Sequence, residues 1–289
     1  MALLGCSMRK AAVDTIGPAI AEGSATYARD DDPELVAAAA PFGLKMTEGL
    51  LEESPQNETL LLSAASGFTE YAFAFVQCEA DYVEAKDLAR ATELRVRAKR
   101  LYRRARAYGL RGLEARHPGF ENRLRTDTAS TLAGTQMRDV PFLYWTAVAW
   151  GAEISLSKGD AELTADQGLV EALALRALAL DEAFDAGAIH DFFIVWDGGR
   201  PPSAGGSRER AREHLDRALV LSRGQRAAPL VSYAESVLVA SQDRAAFEET
   251  LKKALEIDTD RNPRFRLENL VAQKRARWLL SRTSVLFLE

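Results

Sequence analysis

The chain has 289 residues, with 37 Lys and Arg against 42 Asp and Glu, a net charge of −5, and 47% apolar residues. That mildly acidic profile argues against a dedicated nucleic-acid binder, which carries a strongly basic surface, and against disorder. Two cysteines, Cys6 and Cys78, and three histidines far apart in sequence, His117, His190 and His214, exclude a disulfide framework, a four-thiolate zinc site and CxxCH haem, so no metal or cofactor is expected. Ala and Leu number 49 and 37, close to 30% of the chain, and predict an all-α protein. No apolar run approaches the ~18 to 20 residues that a membrane-spanning helix needs.

Leu3-Leu4-Gly5-Cys6-Ser7 has the form of a bacterial lipobox, in which the cysteine receives a diacylglycerol. Only five residues precede Cys6, too few for a signal peptide, so the start reads as truncated and lipidation of Cys6 is an expectation. The alternative is an idle cysteine near a frayed end. Residues 8–22 predict a short helix. Asp30-Asp31-Asp32-Pro33 then looks like a helix start, with Asp32 as N-cap and Pro33 in the first turn. Helical spacing runs to Leu51, breaks at Glu53-Ser54-Pro55 and resumes from about Gln56 to Gln77, which suggests a hairpin.

A long helix is predicted over Asp81 to Arg116. Eleven of its residues from Lys86 onward are basic against Asp87, Glu93 and Glu114, a local excess of +8. Such a stripe could meet nucleic acid or anionic headgroups; arginines on a helical face are more often solvated or paired with acids of neighbouring helices. His117-Pro118-Gly119 stops this helix, short segments follow at Phe120 to Leu124 and Thr126 to Met137, and Val140-Pro141 opens an aromatic helix through Trp150.

The second half carries a repeat. Ala218 and Ala254 occupy matching places in Asp216–Leu221 and Lys252–Ile257, 36 residues apart, and Ala177 matches them 41 residues before Ala218. The five extra residues fit an insertion in the turn-rich loop Arg200–Gly206. A helix-hairpin period near 34 is that of tetratricopeptide (TPR) repeats, and the degenerate consensus makes this pattern TPR-like, clearest over 140–260. Residues 1–7 are thus read as an anchor remnant and 8–289 as one all-helical domain of stacked hairpins, an α–α superhelix.

No catalytic pattern is present. The glycine-rich stretch Gly198–Gly206 lacks the GK[ST] ending of a phosphate loop and reads as a connector. His190 beside Asp191 could form an acid–base pair, although neighbours on a helix point in different directions, which favours a packed or capping histidine. Asn57-Glu58-Thr59 matches a glycosylation sequon without meaning in a bacterial lipoprotein. The aromatics are the better lead: Tyr144, Trp145 and Trp150 on one helix, Phe192, Phe193 and Trp196 on another. They form either packed core or an apolar ligand cavity, with His190, Tyr233 or Arg200 as polar contacts.

The lipobox, Asp30-Asp31-Asp32-Pro33-Glu34-Leu35, Tyr71–Gln77, Gly187–Phe192 and Ala272–Leu280 together resemble the TatT family, T-component lipoproteins associated with tripartite ATP-independent periplasmic (TRAP) transporters. The resemblance implies an all-helical fold with TPR-like hairpins, a homotrimer enclosing a channel or cavity, docking to the substrate-binding P component, and ligand handling without catalysis. It supplies no fixed ligand motif. The expected function is therefore a periplasmic lipoprotein that binds or passes a small apolar or carboxylated solute, its ligand contacts among Tyr144, Trp145, Trp150, His190, Phe193, Trp196 and Tyr233. Its expected partners are the P component and the solute, with no nucleic acid, and its only membrane contact is the Cys6 anchor. Ser7 after the cysteine favours the outer membrane. The alternative is an envelope scaffold that binds proteins and no ligand.

Overall fold

A computed structural model describes Val13 and residues 26–157 and 159–288. The lipobox with Cys6 and nearly all of the helix expected over 8–22 lie outside the described residues. Among the described residues there is no strand, in accord with the all-α expectation. Two compact units are present: Glu34–Leu180, and Asp181–Glu289 with Ala28–Pro33.

In the first unit α1 spans Pro33–Glu53 and starts where the proline, lacking an N–H, does no harm. Asn57, read as a sequon residue, is the N-cap of α2 (Glu58–Tyr71), its side chain accepting from the Leu60 N–H at 3.0 Å. A π-helical turn, Ala72–Gln77, carries α2 into α3 (Cys78–Val83), and a turn separates α3 from α4 (Leu88–Arg116). The long basic helix therefore begins later than its apolar spacing suggested, because the Asp87 side chain caps it by accepting from the Arg90 N–H at 2.9 Å. Its other end stops at His117, as Pro118 and Gly119 predict, and Gly119 takes a left-handed φ of 79°. Short helices α5 (Phe120–Thr126) and α6 (Thr128–Ala133) lead to the aromatic helix α7 (Val140–Ser155), followed by α8 (Ala161–Ala165) and α9 (Gln167–Leu180).

The stretch Glu58–Val83 corrects one sequence expectation. By length and composition it could cross a membrane, although scattered Ser, Thr and Glu break its apolar run. Half of its most apolar window is buried, and Leu60, Leu61, Ala64, Ala65 and Phe68 are core residues of the unit, whose helix α2 packs on α4.

Helix α4 is the centre of this unit, packed against α2, α3 and α7. Its buried stripe, Ala91, Leu94, Ala98, Tyr102, Ala105 and Gly109, keeps helical spacing. The crossing with α7 is close because glycine stands on the α4 side. A Cβ on Gly112 would lie 2.0 Å from Cε1 of Phe142, and one on Gly109 2.2 Å from Oγ1 of Thr146.

The second unit comprises α10 (Ala188–Gly198), α11 (Arg208–Leu221), α12 (Ala228–Tyr233, continued by a π turn over Ala234–Leu238), α13 (Arg244–Leu255), α14 (Arg266–Ser281) and α15 (Thr283–Leu286). Helices α10 and α11 pack as a hairpin, and α13 packs on α14. Leu215, Leu230, Phe247, Leu251, Leu279 and Phe287 form its core. Ala177, Ala218 and Ala254 are each fully buried near the C-terminal ends of α9, α11 and α13.

The glycine contact gives a test. Gly112→Ala should destabilise the protein by about 1–3 kcal/mol through overpacking against Phe142, seen as a lower urea midpoint with an unchanged slope. An unaltered midpoint would mean that the α4–α7 crossing relaxes freely.

Candidate functional site

The basic stripe on α4 is largely answered by acids of its own unit. Arg95 pairs with Asp81 (3.0 Å) and Glu84 (2.7 Å), and Arg116 with Glu58 (2.7 Å) and Asp139 (3.1 Å). Glu153 of α7 has no solvent exposure and takes Arg103 at 2.8 Å and Arg106 at 3.1 Å. A buried carboxylate needs such compensation, since stripping it of water is costly. Asp139, equally buried, accepts from the Gln136 N–H (2.8 Å) and meets His117 Nε2 at 3.0 Å. Burial works to raise its pKa, but the Gln136, His117 and Arg116 donors hold it below the ordinary value. Pairing with neighbouring acids is thus the role the structure shows for most of these arginines.

The predicted aromatic residues divide between the units. In the first, Trp150 is buried with the guanidinium groups of Arg106 and Arg125 at 4.9 and 5.4 Å from its ring. Tyr144 is buried and meets the half-buried Trp145 edge-on at 4.9 Å.

In the second unit the hairpin of α10 and α11 lines up a continuous stack. Arg200 lies 4.3 Å over Trp196, Trp196 stacks on Phe192 (5.3 Å), Phe192 meets Phe193 edge-on (5.2 Å), and Phe193 stacks on His214 (4.8 Å). His214 in turn faces His190, with their Nδ1 atoms 2.8 Å apart. His190, Phe193 and Trp196 are therefore brought together, whereas Tyr233 meets Arg212 at 6.0 Å. His214 was missed because 24 residues separate it from His190; the signal would have been their facing places on two helices joined by a short loop. Histidines far apart in sequence are here adjacent, which corrects the inference drawn from spacing.

One Nδ1 must donate and the other accept. Each outer ring nitrogen faces a carboxylate: Glu182 lies 3.3 Å from His190 Nε2, and Asp197 3.9 Å from His214 Nε2. Asp191 turns elsewhere, to Arg226 at 2.5 Å, so it forms no acid–base pair with His190. Arg226 is shared with Glu268 at 2.8 Å.

The glycine-rich loop has a structural explanation. Asp197, buried at the end of α10, accepts from Arg210 Nη2 (2.7 Å) and Nε (3.2 Å), and its carbonyl accepts from the Ser207 N–H at 3.0 Å. Closing the loop on this pair brings Gly206 so near the Arg200 carbonyl that a Cβ would lie 1.8 Å from its oxygen, and Gly205 adopts a φ of 86°.

Two surface clefts stand outside the predicted set. One, of about 380 Å³, lies in the first unit beside α1 and α4; the other, of about 310 Å³, lies in the second unit beside Gly224, Lys253 and Arg261. None of the predicted ligand residues lines either one.

Comparison with known proteins adds two findings. The family described as TRAP transporter T-component matches residues 29–287. A protein of Treponema pallidum (strain Nichols), described as uncharacterized, is 29% identical over 99% of this chain and 94% of its own length.

The histidine pair predicts an acid response. Burial, reinforced by the charge of His214, lowers the pKa of His190 to about 4, and burial lowers that of His214. The unfolded chain binds the proton first, so this stabilisation is complete above about pH 6.5 and is lost as pH falls toward 4. Asp191 acts oppositely: burial raises it to about 7 against the pull of Arg226, so its contribution is present at low pH and lost as pH rises through 7. Denaturant titrations at pH 6.5 and 4.5 should show His190→Gln losing about 2 kcal/mol less than the wild type between the two values. Equal losses would refute the buried His190 as the source of the acid response.

Proposed function

The chain belongs to the TRAP transporter T-component family, and on that premise we propose that it is a periplasmic accessory lipoprotein that docks to the substrate-binding P component and binds or passes a small apolar or carboxylated solute. Family membership implies association with a TRAP transporter system and an accessory role in transport. The single observation that carries the proposal is the extent of the match, which spans residues 29–287 and so includes both compact units.

Two further features support the finer reading. The buried alanines 177, 218 and 254 let paired helices pack closely, as TPR-like hairpins do, and such hairpins usually bind proteins. Trp196 is nearly buried, and its indole N–H has no hydrogen-bond partner among the described residues. A buried donor without an acceptor is costly, and a solute carboxylate or carbonyl is a suitable partner. In this reading Cys6 tethers the protein to the outer membrane and three copies assemble around the solute path. Side chains transfer no group in it.

The burial of Trp150, Phe193 and Trp196 equally favours a second reading, a protein-binding scaffold of the envelope in which these rings are packed core. Trp196→Ala separates the two. In the scaffold it should cost about 3–5 kcal/mol of stability; in the solute-handling protein it should abolish solute binding while the fold survives. Docking itself is tested by native mass spectrometry with purified P components of TRAP systems. A defined complex is expected, and a bare monomer that ignores every P component offered would overturn the proposal.

A further inference from the structure

The cleft beside α1 and α4 has the chemistry of an anion receptor. Arg104, Tyr108 and Arg111 lie on one face of α4 at i, i+4 and i+7, and Lys45 comes from α1. Their guanidinium groups are held on an aromatic pair: Arg104 lies 5.3 Å over Phe68, Phe68 stacks on Tyr108 at 6.0 Å, and Arg111 lies 5.2 Å over Tyr108. Cation–π seating fixes a guanidinium's plane while using none of its N–H donors.

The cleft already holds a carboxylate of its own. Glu48 receives Lys45 Nζ at 2.7 Å and the Tyr108 hydroxyl at 2.8 Å, and Arg104 Nε stands 3.5 Å away. Burial works to raise the Glu48 pKa, but the Lys45 and Tyr108 bonds hold it below the ordinary range; burial, helped by the Glu48 carboxylate, pushes Tyr108 up to about 12.

Donors nevertheless outnumber acceptors. Among the described residues the Arg104 Nη groups make no hydrogen bond, and Arg111 uses only Nη2, toward the Pro55 carbonyl at 2.9 Å. Lys45 gives Glu48 one of its three protons. With Glu48 and Glu52 counted, the lining carries a net charge of +1, and its volume of about 380 Å³ is at the small end of ligand sites.

We propose that this cleft binds a small organic carboxylate, held by Arg104 and Arg111 through bidentate N–H···O pairs and by Lys45, with Leu51 as an apolar wall. The planar fork of a guanidinium matches a carboxylate better than it matches a spherical anion such as chloride. The site is distinct from the Trp196 stack. It rests on the carboxylate part of the proposed function for its role in transport, while anion binding can be measured without a P component. A failed P-component complex with intact binding would therefore sink the docking proposal alone.

The test uses the full chain and succinate as probe, with sodium sulfate and sodium chloride at matched ionic strength. Succinate should raise Tm in a saturable way and give ligand-observed NMR saturation transfer. Both signals should fall at least tenfold in apparent affinity in Arg104→Gln/Arg111→Gln. Lys45→Gln, at a position 69% exposed on its side chain, provides a second variant that should weaken binding severalfold without disturbing the fold. A succinate effect no larger than that of sulfate, or one unchanged in both variants, would overturn the assignment.

Discussion

Charge compensation around α4 is the constraint on which the first unit depends. A helix of 29 residues this rich in arginine cannot sit at the centre of a bundle unless the surrounding elements deliver carboxylates to it. They do so from α1, α2, α3 and α7: Glu48, Glu58, Asp81 and Glu153 all meet arginines of α4. Gly109 and Gly112, on the side of α4 that meets α7, let the two helices approach closely enough for Glu153 to be sealed from water beneath Arg103 and Arg106. Packing and electrostatics support each other here, because the close crossing excludes the water that would otherwise screen the pairs.

The second unit solves a different problem. Its hairpin α10–α11 is joined by a loop that closes on the Asp197–Arg210 pair, and the loop fixes the register of the two helices. That register places His214 against both His190 and Phe193. The result is a continuous row of rings with an imidazole pair at one end and a guanidinium-capped indole at the other. The unpaired Trp196 N–H suits a ligand contact, and the burial of Phe193 and Trp196 suits packed core; the same geometry serves either reading of the family role.

Much of this was legible in the sequence. Leu and Ala abundance, Pro33, the His117-Pro118-Gly119 stop and the Val140-Pro141 start are local signals, and local backbone chemistry acted on them as expected. The recurrence of Ala177, Ala218 and Ala254 was visible too, because a position that permits close packing tolerates few residue types. The start of α4 was misplaced because helical spacing of apolar residues runs on through Asp87, whose capping role depends on backbone geometry. The membrane-length character of Glu58–Val83 was missed because isolated polar residues hide it from a search for unbroken runs.

The fold class, the helix boundaries marked by proline and glycine, and the resemblance carried by short segments spread along the chain could all be read from the residues in order. These depend on residues within a few positions of one another. Folding in three dimensions was needed to fix which arginines are neutralised, that His190 and His214 share a hydrogen bond, that Asp191 belongs to Arg226 rather than to its neighbour His190, and that Lys45 joins Arg104 and Arg111 in one cleft. Each of those is a meeting of side chains from separate turns or helices. Spacing along the chain carries no information about such a meeting until packing has set the angle and register of the helices.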